Sequence, residues 1–134
     1  MKTRKLVGQV IPGVNVAHKS LAPLFEEILR RTGLKHLVPG TLNVKLPHWY
    51  PGHLDIILLA HEYEHHEHLF IERCRVFGKD ALIIRTSTNH HGPAMLEIMA
   101  QEHLRSTHSL TDYCKIEVEV FERGPKRAIE RSTS

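Results

Sequence analysis

The sequence predicts a mainly β fold, a small barrel decorated with helices, and three observations carry that expectation. Several short runs alternate apolar and polar residues, Pro and Gly punctuate the gaps between them, and one segment alone carries a clear helical stripe. The 134 residues suit one domain and can bury a real core. A 41% hydrophobic share beside 25% charged residues excludes wholesale disorder.

Residues 5–11 alternate loosely and end at Pro12-Gly13, a first strand and a turn. Ser20 then caps a helix, with Pro23 in its first turn, where a missing N–H costs little. Leu21, Leu24, Phe25, Ile28 and Leu29 make one stripe, Glu26 and Glu27 precede Arg30 and Arg31 by four residues, and Gly33 closes the helix. A turn at Val38-Pro39-Gly40 leads into an alternating strand up to Leu46. Residues 55–60 and 69–77 are further strands, separated by the polar stretch 61–68. Gly78-Lys79-Asp80 makes a hairpin turn into a buried strand over 81–85, and a polar loop follows over 86–93. A strand over 95–100, a short helix over 102–110 and an alternating strand over 115–122 complete the chain. The domain spans 1–122, and the basic residues of 123–134 form a solvated tail.

The formal charge of +3 is small and scattered, which argues against nucleic acid as a partner. No apolar run approaches the ~20 residues that cross a bilayer. Residues 6–11 are too short for a signal-peptide core, so the expected location is the cytoplasm. Cys74 and Cys114 stand alone, which indicates neither a zinc knot nor a disulfide framework. Twelve histidines are the oddity of the composition. Among them, His61-Glu62-Tyr63-Glu64-His65 fits HExxH, in which a helix puts two zinc ligands on one face with Glu62 as general base. A zinc hydrolase is therefore one reading, although the strand pattern from Leu69 onward competes with it. His90 and His91 read as solvated loop residues, or as groups that hydrogen-bond a phosphate or assist proton removal from an acceptor hydroxyl.

The segment Pro39-Gly40-Thr41-Leu42-Asn43-Val44-Lys45-Leu46 carries more chemistry. Alternation puts Thr41 and Asn43 on one side of the strand and Leu42 and Val44 on the other. A hydroxyl and an amide oxygen side by side are hard, neutral ligands that suit Mg²⁺ sharing its remaining positions with water and phosphate. The same pair also suits a strand end that bonds its own backbone. This segment resembles the signature of the CTP-dependent riboflavin kinases of archaeal type. So does the block Glu97-Ile98-Met99-Ala100-Gln101-Glu102-His103-Leu104-Arg105, and the order of helix, strand and C-terminal block agrees over about residues 6–120.

The resemblance implies a six-stranded cradle-loop barrel with one long and one short helix, and phosphorylation of riboflavin to FMN by CTP. It implies Mg²⁺ on Thr41 and Asn43, and the nucleotide at Gly13, Val14, Asn15, Val16, Ala17 and His18 and at Glu102, His103, Leu104 and Arg105. It places the flavin at Glu97 and at Thr88 or Asn89. Riboflavin or FMN and CTP or CDP are the implied partners, no membrane is involved, and a monomer is expected. One departure stands out. Where the family carries a G-x-G-x-G run whose amides cradle phosphate, this chain keeps Gly13 and has Val14 and Val16. That leaves a second reading open, a barrel that binds flavin or nucleotide without catalysis.

Overall fold

The computed structural model describes residues 2–12, 24–38, 40–59, 68–86 and 94–122. Seven strands and two helices are ordered β1 (Thr3–Ile11), α1 (Phe25–Thr32), β2 (Leu42–Lys45), β3 (Ile56–Leu58), β4 (Leu69–Val76), β5 (Lys79–Thr86), β6 (Met95–Ala100), α2 (Leu104–Thr107) and β7 (Lys115–Phe121). The strands pair antiparallel in the order β3-β4-β5-β6-β2-β1-β7, and a further pairing of β4 with β7 closes six of them into a barrel. The expected barrel with one longer and one short helix is what forms. β3 is the extra strand. It lies along Leu69–Ile71 of the β4 edge whose later residues, Cys74 and Arg75, pair with β7.

Alternation sorts the side chains into two cores. Leu6 and Val10, Leu42 and Val44, Cys74 and Val76, Leu96 and Ile98, and Ile116, Val118 and Val120 point into the barrel. Leu69, Ile71, Leu82, Ile84 and Met99 face outward, where α1 covers them with Leu24 and Ile28. β5 is thus buried on both faces over 81–84, which explains why that stretch is continuously apolar rather than alternating.

The helix starts with Leu24 as its N-cap, without a side-chain cap, and the expected Ser20, Leu21 and Pro23 lie outside the described residues. Gly33 ends it as expected, in the left-handed region at φ 77° with its N–H on Leu29 O. Of the expected charge pairs, Glu27 holds Arg31 at 3.2 Å and also Arg30. Arg73 Nη1 donates to Thr32 O at 2.6 Å and ties the helix end to β4.

The hairpin turn sits one residue earlier than the sequence suggests. Val76 pairs with Lys79, so Phe77 and Gly78 are its two central residues, at φ 53° and 76°. That is the doubly left-handed turn whose twist matches two paired strands. Glycine meets it without strain, and Phe77 is held there by stacking on His108 at 3.8 Å. Among the described residues no helix is long and apolar enough to cross a membrane.

Candidate active site on the β1–β2–β6 wall

The strand registers assemble the site. Asn43 of β2 lies opposite Ile11 of β1 on one side and Glu97 of β6 on the other, and Glu97 in turn lies opposite Ile84 of β5. Leu42 and Ile98 are paired and both point into the barrel, so their neighbours Asn43 and Glu97 share the outer face. Directly opposed residues of antiparallel strands hold their Cβ atoms about 4.5–5.5 Å apart. The expected metal ligand and the expected flavin ligand, 54 positions apart in sequence, are therefore side by side.

Asn43 is only 8% exposed, and its Oδ1 has no hydrogen-bond partner among the described residues. A buried acceptor in that condition costs about 1–3 kcal/mol unless something beyond the described residues supplies the missing contact. Thr41, half-buried, sits one residue before β2 on the same parity. Val38 N–H donates to Ala100 O at 2.9 Å, which holds the approach to β2 beside the end of β6. The oxygen of Asn43, with the hydroxyl of Thr41 on the same parity, fits the small, hard, oxygen-seeking ion that the sequence suggests. No cluster of three or more His, Cys, Asp or Glu able to hold a metal occurs among the described residues.

The stretch expected at the nucleotide divides. Arg105 reaches back to the end of β1, where Nη2 donates to Ile11 O at 3.2 Å and meets Asp112 Oδ1 at 2.9 Å. It thus lies beside the residue that pairs with Asn43. Leu104 is buried in the barrel core and can offer only backbone to a ligand, and His103 is exposed. Glu102 turns the other way, to Lys79 Nζ at 3.1 Å and His108 Nε2 at 2.7 Å. The bond from His108, then that from Lys79, holds its carboxyl below the ordinary range. The helix expected over 102–110 is a single turn, Leu104–Thr107, because Leu104 plugs the barrel and His108 swings out to stack on Phe77. The loop 13–18, Thr88, Asn89, His90, His91 and the stretch 61–65 all lie outside the described residues.

A second polar cluster occupies the opposite end of the barrel. Glu72 of β4 is 4% exposed and points inward. Tyr50 Oη donates to its Oε2, and His53 N–H donates to Oε1 at 3.1 Å. Arg85 donates to Tyr50 O at 2.6 Å and to Pro51 O at 2.9 Å, and both Arg85 and Arg4 lie over the Tyr50 ring. Burial pushes the Glu72 carboxyl above its ordinary value despite the two hydrogen bonds, and it raises the Tyr50 hydroxyl as well. No sequence motif marks this cluster. Its signal is the parity of β4, which puts Glu72 on the same inward face as Cys74 and Val76.

Comparison with known families matches residues 16–120 to the CTP-dependent riboflavin kinase family, described as domain of unknown function DUF120. No curated protein matches the chain.

Proposed function

The chain belongs to the CTP-dependent riboflavin kinase family, and on that footing we propose that it moves the γ-phosphoryl group of CTP to the terminal ribityl hydroxyl of riboflavin, giving FMN and CDP. The observation that carries this reading is the buried Oδ1 of Asn43, without a partner among the described residues, in register with Glu97 and next to the anchor point of Arg105. Phosphoryl transfer asks a protein for alignment and charge neutralisation more than for covalent chemistry. Thr41 and Asn43 are the residues to hold Mg²⁺, which when bound neutralises phosphate charge. Arg105 offers a rigid guanidinium to phosphate oxygens, its orientation fixed by Ile11 and Asp112. Glu97, with Thr88 or Asn89, takes the flavin side.

A second reading, binding without catalysis, draws on the sequence of the first loop. Val14 and Val16 resist the positive φ that a phosphate-cradling glycine adopts, and forcing it costs on the order of 1–3 kcal/mol. One experiment separates the two readings. Purified protein is incubated with riboflavin, Mg²⁺ and each nucleoside triphosphate in turn, and FMN is followed by chromatography, with CTP and FMN titrated separately by calorimetry. FMN formed with CTP is the expected result. FMN binding with no product from any triphosphate would leave the non-catalytic barrel standing.

A further inference from the structure

The chain enters β7 through a bulge. Val10 N–H donates to Cys114 O while Val10 O accepts from Tyr113 N–H, so two incoming residues face one residue of β1. Cys114 N–H also closes a turn by donating to Thr111 O at 3.3 Å. Tyr113 is the third residue of that turn and the first of that bulge, and both places call for the positive φ that glycine adopts without strain. A tyrosine stands there, at φ 68°. Such backbone is costly for a residue with a Cβ. Phe77, the other aromatic in that region among the described residues, is held by its stack on His108. Tyr113 is 63% exposed, so burial does not repay its backbone.

The turn stands at one end of the proposed site. Arg105 is fixed by Ile11 O and by Asp112, the residue before Tyr113. Tyr113 is bonded to Val10 on the β7 edge of β1, and Asn43 is paired with Ile11 on the β2 edge. The tyrosine backbone and Asn43 are thus two strand spacings apart, about 10 Å. Glu97, on the flavin side, lies one strand beyond Asn43 in the other direction.

We infer that Tyr113 is a stacking platform for the base of the nucleoside triphosphate, an inference that rests on the kinase reading above. The order across the strands is that of a nucleotide laid over them. An aromatic ring stands at the β7 edge of β1, a guanidinium is fixed at the end of β1, and the Asn43 oxygen follows on β2. The base lies on the ring, the phosphates run past Arg105, and the γ-phosphate reaches Asn43, where riboflavin arrives from the β6 side. Bulges re-aim side chains, and this one holds a tyrosine out in solvent next to the residue that anchors the arginine. Every base has a π-face, so the ring supplies affinity for the nucleoside rather than the choice among bases.

The test sets affinity against stability. For the full chain and for Tyr113→Gly and Tyr113→Phe, CTP and inorganic triphosphate are titrated separately by calorimetry, and unfolding is followed in urea. Tyr113→Gly should weaken CTP binding on the order of tenfold to a hundredfold, the scale of one lost base–aromatic stack, and leave inorganic triphosphate within about threefold. Its urea midpoint should hold or rise, because glycine accepts the left-handed backbone. Tyr113→Phe should keep CTP affinity within about threefold, since the ring stacks without its hydroxyl. A Gly variant with wild-type CTP affinity would overturn the inference and leave the kinase reading intact. Equal losses for CTP and inorganic triphosphate would also overturn it, as the mark of a disturbed phosphate site rather than a lost stack. So would a Gly variant that unfolds at clearly lower urea, which would make Tyr113 a structural residue. A wild-type chain that binds no nucleoside triphosphate and makes no FMN would instead remove the kinase reading, and this inference with it.

Discussion

Glu72 and Asn43 are both buried polar side chains, 4% and 8% exposed, on opposite faces and at opposite ends of one barrel wall. Glu72 finds a donor for each of its oxygens inside the chain, Tyr50 on one and His53 N–H on the other. Asn43 presents Oδ1 to nothing among the described residues. Burial alone therefore does not distinguish a structural polar group from a functional one; the bookkeeping of partners does. A side chain whose partners come from its own chain fixes the fold. One whose acceptor is left over among the described residues is a candidate for a ligand contact.

The sharpest way to break this contrast is to remove both groups and compare. Glu72→Ala should lower unfolding free energy in urea by about 3–5 kcal/mol, because two donors lose their acceptor and a cavity opens in the barrel end. Asn43→Ala and Thr41→Ala should do the opposite kind of damage. Each should cut FMN turnover by about 1–3 kcal/mol of transition-state stabilisation, roughly tenfold to a hundredfold. The urea midpoint of Asn43→Ala should hardly move. Equal destabilisation by Glu72→Ala and Asn43→Ala would show that Asn43 is structural after all.

A finer probe is Gly52→Ala. Gly52 sits at φ 76°, and a Cβ there would come within 2.6 Å of Glu72 Oε1. Strain plus displacement of the carboxylate should cost about 1–2 kcal/mol, read in the same urea melts, with turnover of the folded protein preserved. The smallest effect is on pH. The folded carboxyl of Glu72 lies above its ordinary 4.5, so the native chain keeps a proton that the unfolded chain has lost. Its contribution is complete below about 4.5 and is lost as pH rises through the raised value. Wild-type stability, relative to Glu72→Gln, should fall with rising pH across that window. A rise instead would mean that Tyr50 and His53 outweigh burial.

The sequence discloses its local geometry better than its closure. Alternation alone separates Thr41 and Asn43 from Leu42 and Val44, and Gly33 marks the helix end, because both depend on neighbours within a few positions. The hairpin is misplaced by one residue because Phe77 is a poor residue for a left-handed turn, and the stacking partner that holds it, His108, lies 31 positions away. The juxtaposition of Asn43 with Glu97 is out of reach for the same reason: it depends on which strands become neighbours. Glu72 was within reach. A charged residue on the apolar parity of a strand, two positions before Cys74, announces a buried carboxylate that needs donors.

The shared edge of β4 has one more consequence. The ladder that closes the barrel, β4 with β7, is only two residue pairs long, Cys74 with Val120 and Arg75 with Glu119, whereas β1 with β7 runs for seven and β4 with β5 for eight. A cylinder breathes where its lacing is shortest, so native-state amide exchange should begin along this seam. Going round the barrel, the seam is three strands from the β2–β6 ladder in either direction, on the far side from Asn43 and Glu97. After it, the shortest barrel ladders among the described residues include β1 with β2 at three pairs and β2 with β6 at four, and both flank Asn43, so the candidate wall is the second place where exchange should set in.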